Sequence, residues 1–217
     1  NDQTVPEEPF FVNSWGWCVS FLNWRMINHK LYLFTEESIV RLIFVRLNVA
    51  FSVIPSLADC GLSLLLLLLF TLIVLPLGFR FNFIKFEILT LSWPKLTRLL
   101  VFLFFMPAMG EEIIFRVLLL PNVNLENPSL ISMFVWGSIS LIAYIVYHPL
   151  NALTFYRAGF PTFFNPIFLF SMTLLGVICT ISYFKSGSLW LSAIIHWLVV
   201  VGWLIFFDGY RMLSKAN

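Results

Sequence analysis

An all-α polytopic membrane protein with five to six transmembrane helices is the fold this sequence predicts. Composition is the first reason. Of 217 residues, 60% are apolar and only 11% charged, with a mean hydropathy of +0.92, whereas a soluble domain carries about 25% charged residues. Arrangement is the second, because the apolar residues fall into runs close to the roughly 20 needed to cross about 30 Å of hydrocarbon. These runs leave only short loops between them. A water-soluble globule, a disordered tail and a coiled coil are all excluded. The net charge of +2 includes no basic run long enough to grip nucleic acid. Cys18, Cys60 and Cys179 stand apart without a CxxC pair, which gives neither a disulfide framework nor a zinc knuckle.

Residues 1–35 are expected to form an interfacial N-terminal segment, and residues 36–217 the helical transmembrane domain. Residues 1–14 hold Asp2, Glu7 and Glu8 and no basic residue, unlike the start of a secretory signal or an acid-poor transit peptide. Residues 15–35 mix Trp15, Trp17, Trp24, Tyr32 and Phe34 with Arg25, His29 and Lys30, a composition suited to the headgroup layer. From Glu36 to Cys60 the chain is apolar but keeps Arg41 and Arg46, so residues 37–57 read either as a tilted span or as a helix lying in the interface.

Gly61 to Leu77 holds a leucine-rich stretch, Leu62 to Leu69, and spans. Residues 78–98 carry Arg80, Lys85, Lys95 and Arg98 and form a loop. Leu99 to Leu120 is the next apolar run, interrupted by Glu111, Glu112 and Arg116 and ended by Pro121. Asn122–Asn127 reads as a polar turn, and Asn127-Pro128 as an N-cap with proline at the first helical position. The helix that follows is expected to stop at His148-Pro149, with a loop over 150–165. Ile167 to Phe184 and Leu189 to Phe207 complete the set, separated by the breaker Ser186-Gly187-Ser188. The four basic residues of the 78–98 loop, with Arg211 and Lys215, put that loop and the C-terminus on the cytoplasmic or stromal side.

Ionisable residues within apolar spans are expensive, about 2.5–3.5 kcal/mol each on insertion scales, and here they are Glu111, Glu112, Arg116, His148 and His196. Glu112 and Arg116 lie four apart, on one helical face and within ion-pair reach, with Glu on the favourable N-terminal side. Glu111 points about 100° away from Glu112 and has no basic residue three or four positions off. An unpaired carboxylate of this kind is suited to take a proton from water, the work of a general base. Ser140, Tyr144 and His148 repeat every four residues, as do Ser188, Ser192 and His196, so each histidine sits on a polar stripe. Such stripes serve either as interhelical hydrogen-bonding glue or, beside an unpaired glutamate, as parts of a site.

These residues resemble a known family. Glu111-Glu112-Ile113-Ile114-Phe115-Arg116 is similar to the EExxxR motif of the CAAX-processing and bacteriocin-processing intramembrane proteases (the CPBP, or Abi, family). Tyr144-x-x-x-His148 resembles its second motif, and His196 within Leu191-Ser192-Ala193-Ile194-Ile195-His196-Trp197 its third, so the likeness runs from about residue 97 to 207. The resemblance implies helices around a polar, water-accessible intramembrane cavity. It implies that Glu111 activates the hydrolytic water, His148 orients that water, and His196 stabilises the oxyanion. Glu112, Arg116 and Tyr144 would support them, with Arg116 steadying Glu112. No HExxH or comparable ligand set is present, so no metal or other cofactor is expected. Members commonly place Asn or Asp four residues after the last histidine. Here that position is Val200. Losing one oxyanion donor costs about 10²–10³ in rate, and Asn151 and Asn165 are the candidates to replace it. The apolar ending His196-Trp197-Leu198-Val199-Val200-Val201 resembles the cyanobacterial and plastid branch.

Function classes follow. The first is an intramembrane endopeptidase, its partners a membrane-protein or peptide substrate and the lipid bilayer, in a plasma or thylakoid membrane. The second is a family member without turnover, acting as an assembly factor or small subunit of a larger, photosynthetic membrane complex. A third makes His148 or His196 an axial ligand for chlorophyll or haem, and a transporter is the weakest, since no paired broken helices stand out.

Overall fold

The computed structural model describes residues 36–214, so the expected interfacial segment 1–35 lies outside the described residues. The chain divides into two compact units, residues 1–44 and 45–217. In the first, the described residues are 36–44, the opening turns of helix α1 (Glu36–Ser52). All the other helices described belong to the second unit.

Helix α2 (Leu57–Arg80) opens on a reciprocal cap. The Asp59 N–H donates to Ser56 Oγ at 3.2 Å, and the Ser56 N–H donates to the Asp59 carboxylate at 3.0 Å. Its 24 residues reach about 36 Å at 1.5 Å each, more than enough to cross hydrocarbon. In the loop that follows, the N–H groups of Glu87 and Leu89 donate to the carbonyls of Phe206 and Ile205 at 3.0 and 2.8 Å. The end of a later helix thereby has acceptors satisfied that would otherwise be orphaned.

The expected run Leu99–Leu120 is not one continuous helix. After α3 (Trp93–Leu103), Met106 leaves helical geometry (φ −138°, ψ 114°), with Pro107 next to it. Proline lacks the N–H that would continue the ladder. The path continues as α4 (residues 104–118), which is broken at Met106 and, over its last piece Ile113–Leu118, wound in the wider π form.

Two boundaries differ from expectation. The polar turn 122–127 contains a one-turn helix, α5 (Val123–Glu126), and Asn127 is its left-handed C-cap (φ 43°) rather than the N-cap of the next helix. Asparagine tolerates that conformation. Ser129 caps α6 (Leu130–Thr154) instead, its side chain accepting from the Ser132 N–H. Helix α6 also continues through Pro149 to Thr154 rather than stopping at His148. In an apolar helix one missing N–H does not force an end, because neighbouring groups re-satisfy the freed carbonyl. The expected loop 150–165 is partly helical as well, with a tight turn at Arg157–Gly159 and α7 (Phe160–Phe163).

Asn165 caps α8 (Pro166–Ser186), Gly187 ends it at φ 69°, and Ser188 caps α9 (Leu189–Phe206), so the breaker at 186–188 acts as predicted. Helix α10 (Gly209–Ser214) follows. Helices α2, α6, α8 and α9 are each long and apolar enough to cross a membrane. The chain is an all-α polytopic membrane protein. In their most apolar windows α8 and α9 are 50% and 44% buried, against 17% for α2 and 11% for α6, so α8 and α9 form the centre. The buried residues of α6 are Ser140, Tyr144, His148 and Ala152. They repeat every four positions, so the polar stripe is the face that turns inward.

Candidate active site

Helices α4, α6 and α9 bring the sequence-predicted residues to one place. Glu111 Oε2 lies 4.0 Å from His148 Nε2 and 3.8 Å from His196 Nε2. All three are buried, and Glu111 Oε2 accepts no hydrogen bond. Separations of 3.8–4.0 Å exceed a direct hydrogen bond and suit one bridging water.

The two rings are held differently at their other nitrogen. His148 Nδ1 meets the Tyr144 carbonyl at 2.9 Å, four residues back on its own helix. A carbonyl only accepts, so Nδ1 carries the proton and Nε2 presents a lone pair toward Glu111 when the ring is neutral. His196 Nδ1 instead meets Glu112 Oε1 at 2.9 Å, across 84 residues of sequence. A carboxylate also only accepts, so Nδ1 carries a proton and the ring's orientation is fixed, and Nε2 is a donor only in the form that carries protons on both nitrogens.

Glu112 is fully buried and shared. Its Oε2 lies 3.1 Å from Arg116 Nε. The two atoms are not aligned as a hydrogen bond, so the attraction is chiefly ionic. Arg116 donates through Nη2 to the Gly176 carbonyl at 3.1 Å, and its guanidinium sits 4.7 Å from the centroid of the Tyr144 ring. Tyr144 is thus a hub: its ring edges both His148 and His196 at 5.0 and 6.1 Å between centroids, and its hydroxyl reaches Met172 Sδ at 3.7 Å.

Several participants were missed. Gly176 matters twice, since its carbonyl takes Arg116 and a Cβ there would stand 2.6 Å from Leu141 Cδ1 and 3.0 Å from Tyr144 Cδ1. A glycine in an apolar helix gives no signal of that in sequence. Phe115 packs on Tyr144 at 5.3 Å, and Phe115 was visible only as a spacer inside the motif. Beside the site lies an apolar cavity of about 410 Å³ between α2, α8 and α9, whose walls include Phe168, Met172, Val199 and Val200. Phe168 and Met172 also touch His148 and Tyr144, so cavity and site adjoin.

Val200 faces that cavity and offers no donor. Neither proposed substitute hydrogen-bonds to Glu111, His148 or His196. The Asn165 side-chain oxygen accepts from the N–H groups of Ile167 and Phe168 as a helix cap, and among the described residues Asn151 makes no hydrogen bond to Glu111, His148 or His196. The donor set also includes no group of three or more His, Cys, Asp or Glu, among the described residues, arranged to hold a metal ion.

Comparison with known families gives a match. A family model described as type II CAAX prenyl endopeptidase Rce1-like covers residues 92–202, half of the chain. No curated protein and no solved structure matches.

Proposed function

Because the chain belongs to the Rce1-like family of type II CAAX prenyl endopeptidases, we propose that it is itself an intramembrane endopeptidase, with Glu111 as its general base. The observation that carries this is the convergence of one carboxylate oxygen on two histidine Nε2 atoms, at 3.8 and 4.0 Å, among buried side chains. A water between them is oriented by the His148 lone pair and deprotonated by Glu111. Its oxygen adds to the scissile carbonyl carbon, and protonated His196, held by Glu112, donates through Nε2 to the oxyanion. The C–N bond then breaks and the leaving amine takes the proton from Glu111. Arg116 offsets the charge of Glu112, so that the carboxylate orienting His196 stays ionised. The apolar cavity beside the site receives the lipid-like or apolar part of the substrate. The chemistry needs neither metal nor prosthetic group, because the chain supplies base, orienting group and donor. We place the 78–98 loop and the C-terminus on the cytoplasmic or stromal side.

A second reading has one observation in its favour. Position 200 presents valine to the apolar cavity where the family commonly carries a donor, which suits a member that binds a membrane partner without turning it over. The cyanobacterial or plastid affinity suggested by residues 196–201 makes a photosynthetic complex the natural partner for that reading.

The test is purification of the wild type and Glu111→Gln from native membranes, with the lengths of all co-purifying chains measured. Wild type running free and Glu111→Gln trapping an uncleaved partner supports the endopeptidase. Both variants held in the same stoichiometric complex, with unchanged partner lengths, overturns it in favour of the binding subunit.

A further inference from the structure

The matched family region begins at residue 92, yet the last turns of α1, well upstream, are bonded to the elements that carry the site. Arg46 forms a fork on Glu126, Nε to Oε1 and Nη2 to Oε2 both at 2.8 Å, and its Nη1 donates to the Leu118 carbonyl at 2.9 Å. Leu118 closes α4, the element that carries Glu111, Glu112 and Arg116. Glu126 also accepts from the Asn122 N–H at 2.9 Å, so Arg46 holds the far side of the turn as well.

Packing follows the same line. Leu47 and Ala50 lie in one apolar cluster with Met109, Ile113, Val117 and Leu120, the face of α4 turned away from the carboxylates. At the other end, the Phe51 and Val53 carbonyls accept from Trp190 Nε1 at 2.9 Å and Ser188 Oγ at 2.8 Å. Those donors sit at the start of α9, which carries His196. A π-wound, interrupted element such as α4 is poorly supported by its own ladder and depends on outside contacts for its register.

We propose that residues 46–53 are a brace that sets the position of the Glu111–Glu112 element relative to the His196 helix, with Arg46 as its positioning residue. The catalytic consequence rests on the endopeptidase reading; the packing does not.

Cys179 serves as an internal reporter. It is fully buried, its Sγ reaches the Ser192 carbonyl at 3.6 Å, and it lies within electrostatic range of Glu112 and Arg116. In the full chain carrying Cys18→Ser and Cys60→Ser, Cys179 is the remaining thiol, and its rate of reaction with N-ethylmaleimide measures local opening of the site. Arg46→Ala is expected to speed labelling about tenfold or more, and Glu126→Gln less. Arg46→Lys falls between Arg46→Ala and wild type, because an ammonium keeps the charge but not the fork. Arg41→Ala, exposed on the same helix but outside the brace, is expected to label as wild type. With a cleavable substrate, Arg46→Ala lowers kcat per folded molecule about tenfold with KM nearly unchanged, the folded fraction being counted separately by thermal unfolding of the same sample. Monodisperse Glu126→Gln and Arg46→Lys keep the test valid where Arg46→Ala does not fold. Wild-type labelling in every Arg46 and Glu126 variant overturns the brace. Accelerated labelling with no cleavage by the wild type upholds the brace and overturns the endopeptidase.

Discussion

Two polar regions of this molecule are made of similar residues and behave as opposites. Around Asn122 each side-chain donor meets an acceptor. Asn122 donates to the Tyr183 hydroxyl and the Gly187 carbonyl, both at 3.0 Å, Asn124 to the Ser186 carbonyl at 2.9 Å, and Arg46 to Glu126. Around Glu111 satisfaction is incomplete: Glu111 Oε2 and Arg116 Nη1 are buried without a hydrogen-bond partner, and Glu112 Oε2 and Arg116 Nε meet at 3.1 Å as an ion pair without hydrogen-bond alignment. Buried polar groups normally find partners. A satisfied cluster holds helices in place, whereas buried groups without a partner are open to a group that arrives from outside, on the proposed endopeptidase reading a water and a peptide bond.

The sharpest way to break that contrast is Glu111→Gln, which keeps shape and removes the base. Cleavage is expected to fall by about 10²–10⁴, with the melting temperature within experimental error of wild type, read by peptide hydrolysis and thermal unfolding. Arg116→Met comes next. It strands Glu112 as a buried uncompensated charge, at about 3–5 kcal/mol, and should show as a large drop in melting temperature together with loss of activity. Glu112→Gln frees His196 Nδ1 from its carboxylate and is expected to lower kcat by roughly 10²-fold with KM little changed. An unaltered kcat would mean that Glu112 serves packing alone. Smallest is Asn122→Ala, which leaves the Gly187 carbonyl and Tyr183 hydroxyl without that donor. It should cost about 1–3 kcal/mol of stability and leave turnover per folded molecule unchanged. A kcat effect as large as that of Glu112→Gln would erase the distinction between the two regions.

Much of the site was legible because it obeys helical period. Glu112 and Arg116 lie on one face and pair at 3.1 Å, and Ser140, Tyr144 and His148 turn inward together, as a spacing of four requires. The breaker at Gly187 followed from the conformational freedom of glycine, which here takes φ 69°. Less legible were Asn127, a helix C-cap rather than an N-cap, and Pro149, which α6 absorbs. In both cases local propensity pointed to a boundary, and contacts with neighbouring helices decided otherwise.

What the sequence by itself determined is therefore the membrane-spanning helical class, the ion pair inside the motif and the stripe that carries each histidine, since all of these depend on residues within one or two turns of each other. Tertiary structure alone decided that His196 hangs on Glu112, 84 residues away, that Arg116 reaches the Gly176 carbonyl, 60 residues away, and that Arg46 grips Glu126, 80 residues away. Helical period relates a residue to its own turns and carries no information about which turn of another helix will stand opposite. That choice is made by close packing, which at Gly176 leaves no space for even one added carbon, 2.6 Å from Leu141.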